Sequence, residues 1–281
     1  MFYMVTSTMT QAVGRFLTFE LGAGNEKKLQ QTFSTSVNIL LLFALVVVVL
    51  AETVGLWFVN YKLNISTERM SAANWIYQFS VLSFIFEMIS VPYSASVISH
   101  EKMGTFAFVT ILKVILTLGI AFLLSVSPMD KLVFYGLLVL FVSILIQLMY
   151  WIYCKKNFRE CRYSFHIDKT IFRNMFGFAG WNFLTTCASM LSSQGVSIIL
   201  NIHFGTVVNA AKGIASQVNG TVGAFSKNFT TALSPQITKS YAARELEYTK
   251  NLVCKGSKFS YLLFFLIALP CILEVDFLLS K

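Results

Sequence analysis

An all-α fold, a polytopic membrane helix bundle, is what this 281-residue sequence predicts, on three observations. Hydrophobic side chains make up 56% of the chain and charged ones only 12%. The apolar residues gather in runs close to the roughly 20 helical residues needed to cross a hydrocarbon layer about 30 Å thick. Runs such as Ile39 to Ala51 have no polar face, which the helices of a soluble protein would need.

Eight spans follow, at about residues 2–21, 37–59, 71–98, 104–127, 131–153, 174–202, 206–238 and 259–279. The first has neither a basic leader nor a small-residue cleavage site, so it is a span rather than a secretory signal. The second is built on the Ile39 to Ala51 run and is followed by a short connection from Asn60 to Met70. The third contains Glu87 and Pro92 and stops at the His100-Glu101-Lys102 turn, beyond which the fourth carries Lys113 near its middle. Ser125 to Asp130 leads into the fifth. The polar connection from Cys154 to Arg173 then offers Asp168 as an N-cap, which predicts a short interfacial helix from Lys169 to Arg173 before the sixth span. Ile202 to Gly205 is the last short connection on its side, and a charged turn around Ala242-Ala243-Arg244-Glu245 separates the seventh span from the eighth.

Lysine and arginine give the orientation, because short loops rich in them stay cytoplasmic. One alternate set of connections holds fourteen, from Lys27 and Lys28 through Lys155 and Arg159 to Lys255 and Lys258. The opposite set holds Lys62, Arg69 and Lys131. The net charge of +9 is therefore that of basic loops beside anionic lipid headgroups, with no nucleic-acid partner implied. Cys154, Cys161, Cys187, Cys254 and Cys271 form no CxxC pair and read as free thiols; the three histidines stand apart, so no metal or cofactor is expected. Acidic residues outside the spans are dispersed, with no DxD motif, which argues against a membrane-embedded glycosyltransferase and against an enzyme.

The seventh span carries the most chemistry. Asn209, Lys212, Ser216, Asn219, Gly223, Lys227, Thr230 and Ser234 recur at spacings of three and four, so one helical face is polar from end to end. Lipid cannot solvate that face; it must meet another helix or water. Asn182, Thr185, Ser189, Ser193 and Ser197 form a companion stripe on the sixth span. Such stripes serve as helix-to-helix glue in many membrane proteins. Lys227, too deep to reach the headgroups easily, favours a solvated pathway here. Arg15 and Lys113 add two further intramembrane cations, and Glu87 and Lys113 flank the His100 turn at matching depth, which predicts an ion pair or a shared water network. Arg15, Lys113, Lys212, Lys227, Asn209 and Asn219 are thus the expected substrate-binding residues, Glu87 the expected ion-coupling acid and Pro235 a candidate hinge. A cationic interior suits an anionic cargo such as a phosphate or pyrophosphate headgroup. The region after the first span also matches the region after the seventh at an offset of 219, Glu26 on Glu245, a weak sign of a six-helix repeat.

Four stretches carry a family resemblance: Arg15 to Asn25 (RFLTFELGAGN), Ala51 to Phe58 (AETVGLWF), Ser90 to Ala95 (SVPYSA) and Leu233 to Ala242 (LSPQITKSYA). Together they resemble polysaccharide (O-antigen type) flippases of the multidrug/oligosaccharidyl-lipid/polysaccharide exporter superfamily, in the flavour of Bacteroidetes-type members. The resemblance implies a two-lobed bundle of 12 to 14 helices that moves undecaprenyl-pyrophosphate-linked oligosaccharide across the bacterial inner membrane by alternating access, with sodium or a proton as coupling ion. On that pattern the chain is truncated at both ends. Residues 1–153 correspond to family helices two to six, 154–173 to the cytoplasmic linker and 174–281 to helices seven to nine. The alternative within the superfamily is a cation-coupled multidrug or metabolite antiporter, whose interior would more naturally be acidic.

Overall fold

The computed structural model describes residues 2–61, 67–126, 130–164 and 169–274, nearly all of them in helices joined by short turns. Eight α-helices follow one another: α1 Phe2–Gly22, α2 Glu26–Leu50, α3 Leu56–Tyr61, α4 Thr67–Ser99, α5 Met103–Val126, α6 Lys131–Asn157, α7 Lys169–Ala242 and α8 Leu246–Leu273. A π-helical turn, Ala51–Gly55, joins α2 to α3 without a break, and a short 3₁₀ turn, Arg159–Cys161, follows α6. Among the described residues six segments are long and apolar enough to cross a membrane: Glu26–Tyr61, Arg69–Ser99, Met103–Ser125, Lys131–Asn157, Lys169–Gly205 and Leu246–Pro270. This is the character of a multi-pass membrane protein.

Two of the eight expected spans do not reach that standard. Residues 2–21 and 206–238 are helical, but Thr6, Thr8, Thr10, Gln11, Arg15 and Thr18 in α1, and the polar stripe in α7, lower their apolarity below that of a membrane span. The separate interfacial helix is also corrected, since Lys169 opens α7 and the helix continues from it as far as Gly205. Asp168 lies outside the described residues, as do Lys62 and the Asn64 sequon. The Ile202 to Gly205 connection shrinks to Gly205 alone, whose φ of 78° and ψ of −173° only glycine adopts readily.

Three helix ends share one turn. Gly24, Glu101 and Arg244 sit at φ of 69°, 59° and 62°, and the next residue's N–H reaches back five positions: Asn25 to Glu20, Lys102 to Val97 and Glu245 to Ser240. This is the Schellman closure, which satisfies carbonyls left open at a helix end. The likeness noted between the regions after α1 and α7 is therefore a turn that recurs after α4 as well. Its left-handed residues pair Gly24 with Arg244, an offset of 220 rather than 219.

The chain divides into two compact units, residues 1–21 with 25–179 and residues 22–24 with 180–281. In the first, α4 is the central helix and packs on α2, α5 and α6. Lipid supplies no hydrophobic drive between helices, so close packing and interhelical hydrogen bonds hold them. Thr32, Ser34, Thr35 and Ser36 of α2 and Ala95, Ser96, Val97 and Ser99 of α4 are wholly buried. Thr18 Oγ1 donates to Ser99 Oγ at 2.9 Å, and Ser99 Oγ donates to the Gly14 carbonyl at 3.2 Å, tying α1 to α4. A Cβ on Gly136 of α6 would come within 3.1 Å of Ile76 and Phe79, so those helices touch nearly backbone to side chain. The segment after α6 lies along α2, where Tyr163 donates to Asn38 Oδ1 at 2.6 Å and Gln30 Nε2 donates to the Arg162 carbonyl at 3.1 Å.

Candidate functional site

Lys212 lies in the second arm of α7, seven residues past the Gly205 break. The break reverses the chain, so the arm returns along the one before it. Lys212 Nζ donates to the Ser193 carbonyl at 2.9 Å and to Ser197 Oγ at 2.8 Å. Around it opens a groove of about 530 Å³ lined by Thr185, Ala188, Ser189, Ser192, Ser193, Val196 and Lys212. The cation is thus fixed by two neutral oxygens, and no carboxylate lies among the residues lining the groove. One cation beside the hydroxyls of Thr185, Ser189, Ser192 and Ser193, on a wall that is otherwise apolar, can offer an anion hydrogen-bond donors.

The first-arm stripe read from the sequence contributes Thr185, Ser189 and Ser193 to the groove and Ser197 to the lysine. Ser192, one position off that stripe, was not anticipated; it is brought in by the width of the groove, which spans more than one line of residues. Asn209, Asn219 and Lys227 do not line it. Asn219 and Lys227 are exposed further along the second arm, with no partner for Lys227 Nζ among the described residues. That arm packs on α8 near its far end, where Ser226 and Ser260 hydroxyls meet at 2.5 Å and Leu233 presses against Gly256. Pro235 is buried, and the dihedrals remain helical through it; the α7 break is at Gly205.

In the first unit Lys113 Nζ meets Glu87 Oε1 at 2.8 Å, the ion pair expected from the symmetric placement of the two residues about the His100 turn. The pairing compensates both charges. Arg15 is exposed with its guanidinium 4.8 Å from the centre of the Phe178 ring, which itself meets Phe16 edge-on. An aromatic face steadies a cation without cancelling its charge.

Two features went unread in the sequence. His100, in the turn after α4, bonds Glu160 in the 3₁₀ turn and stacks on Phe158 with ring centres 4.1 Å apart. Burial raises the Glu160 carboxyl, but the His100 hydrogen bond and a backbone N–H outweigh it, so the net shift is downward. Sixty residues separate the partners, and no local pattern links them. The second is Glu52, an acid inside the Glu26–Tyr61 segment, whose Oε2 accepts from Gln78 Nε2 at 3.2 Å. Its signal was present, a carboxylate ending the Ile39 to Ala51 apolar run.

No family model matches this chain, and no curated protein matches it.

Proposed function

We propose that this chain is a membrane transporter of the polysaccharide-flippase type, in the multidrug/oligosaccharidyl-lipid/polysaccharide exporter superfamily, with the corresponding MATE-like bundle. Its cargo on this reading is an undecaprenyl-pyrophosphate-linked oligosaccharide, carried across the bacterial inner membrane by alternating access and contributing to polysaccharide or lipopolysaccharide biosynthesis. The observation that carries the reading is the Lys212 groove, an open, hydroxyl-lined hollow with one fixed cation and no lining carboxylate. A pyrophosphate offers that cation the charge it lacks and offers the surrounding serines acceptors for their protons. Arg15 and Lys227, both without a carboxylate partner among the described residues, are further contacts for the same class of anion, and the exposed lysines and arginines of the connections would rest on anionic lipid headgroups.

The antiporter reading has one observation in its favour, the Glu52 carboxylate in a membrane segment, which would suit a cationic cargo. Reversing the charge of Lys212 separates the two. In cells that depend on this gene for surface polysaccharide, Lys212→Glu should abolish the polymer while the protein still inserts in the membrane. Normal export by that variant would overturn the headgroup role, and lost drug or metabolite efflux with intact polysaccharide would favour the antiporter.

A further inference from the structure

We infer that the lysine-bearing end of α6 is a binding site for one anionic phospholipid, with the headgroup phosphate on Lys155 and an acyl chain along the exposed face of the helix. Phe141, Leu148, Trp151, Ile152 and Lys155 are all exposed and recur at spacings of seven, three, one and three. Such spacings keep them on one helical face. Phe141 and Trp151 are ten residues apart, so the apolar strip runs for about 15 Å, half of a hydrocarbon layer about 30 Å thick. That is the depth one acyl chain occupies.

Trp151 ends the strip, and an indole with one apolar and one polar edge sits best at the level of the headgroups. Lys155 lies one turn beyond, its Nζ 4.7 Å from the centre of the Trp151 ring. The ring steadies the ammonium at the head of the strip and leaves its charge uncancelled. Three more cations crowd the same end: Lys156 in the last turn of α6, Arg159 at the start of the 3₁₀ turn and Arg162 just after it, all exposed. The backbone that carries the two arginines is tied down, because Phe158 stacks on His100 and Gln30 Nε2 donates to the Arg162 carbonyl at 3.1 Å. Glu160, the one acid from Lys155 to Arg162, is already bonded to His100. Among the described residues no carboxylate pairs with any of the four cations.

The opposite end of α6 is built differently. Lys131 opens the helix there, but Asp130 stands beside it, accepting from the Leu132 N–H at 2.9 Å and pairing with Arg69 at 3.2 Å. An acid within the protein offsets part of the positive charge. At the Lys155 end four cations face one acid that is already engaged, so the compensating charge has to come from outside the chain. A headgroup with net negative charge supplies it, whereas a zwitterionic headgroup would bring its own ammonium up to the cluster. The contact that basic connections make with headgroups in general is thereby narrowed to a single seat, a lysine fixed on an indole above an apolar strip.

Native mass spectrometry on the whole chain in detergent, with dioleoyl phosphatidylglycerol or dioleoyl phosphatidylcholine added, tests this. The parent should retain one phosphatidylglycerol in preference to phosphatidylcholine. Lys155→Gln should lower that retention about fivefold, Trp151→Leu should lower it as well, and Lys131→Gln at the far end of the helix should leave it unchanged. Equal retention of the two lipids, undiminished retention by Lys155→Gln, or an equal loss in Lys131→Gln would each overturn the site. So would dihexanoyl phosphatidylglycerol or inorganic phosphate binding as tightly as the long-chain lipid, because the strip would then take no part. Should Lys155→Gln lose the helical circular-dichroism spectrum, Trp151→Leu carries the test alone. No cargo enters the measurement, so failure of the transport reading leaves its result intact.

Discussion

The two compact units use serine and threonine in opposite ways. In the first, over half (56%) of the most apolar stretch of α4 is buried, and Ser83, Ser94, Ser96 and Ser99 of that helix are buried with it, Ser99 bonding to α1. In the second, none of the corresponding stretch in the first arm of α7 is buried, and its serines line an open groove around Lys212. Small polar residues let two helices approach and also wet a cavity; which they do depends on whether a partner helix covers them. Charge follows the same division. Lys113 is neutralised by Glu87, whereas Lys212 is held by two neutral oxygens.

Overpacking should break the comparison most sharply. Gly136→Leu forces a large side chain between α6 and Ile76 and Phe79, and a loss of about 3 kcal/mol is expected from the midpoint of thermal unfolding in detergent. Gly220→Leu, where nothing lies near the added carbon, should cost nothing measurable. Next comes the ion pair. Glu87→Lys or Lys113→Glu alone should lower stability by about 2 kcal/mol, less than a dry pair would because both side chains are partly exposed, and the double exchange should recover most of it. In the second unit Lys212→Met should leave the unfolding midpoint within about 0.5 kcal/mol of the parent and abolish the rise in that midpoint expected when inorganic pyrophosphate is added to the parent. An equal loss of stability would mean that the lysine is structural glue.

The turns supply a smaller effect. Replacing Arg244, a left-handed residue without glycine's freedom, by Gly should stabilise the second unit by about 0.5 to 1 kcal/mol. Gly24→Ala at the matching turn should cost about 1 kcal/mol. The smallest effect is confined to acid. Because the Glu160 carboxyl is lowered in the folded chain, its contribution is complete above the ordinary value of 4.5 and lost as pH falls through the folded value. Glu160→Gln should flatten the fall in unfolding temperature below about pH 4.5.

Much of the helical plan was legible because apolar runs and basic connections are local properties. The Ile39 to Ala51 run, the proline in α4 and the His100 turn are found where the sequence places them, and equal spacing about that turn was enough to pair Glu87 with Lys113. Three residues of the first-arm stripe, Thr185, Ser189 and Ser193, share one groove. That Lys212 lies in a groove while Asn219 and Lys227 do not line it was illegible, because periodicity assigns a face and is silent on which part of the face another helix covers.

By itself the sequence determined the all-helical, membrane-spanning class, the fate of the apolar surface and the positions of most helix ends, since each follows from transfer free energy and backbone bonding over a few consecutive residues. Only the tertiary structure decided which charges are cancelled and which stay available. His100 finds Glu160, Lys113 finds Glu87 and Lys212 finds the oxygens of Ser193 and Ser197 through chain reversals and helix contacts. Such electrostatic pairing depends on distances in space that sequence separation does not record.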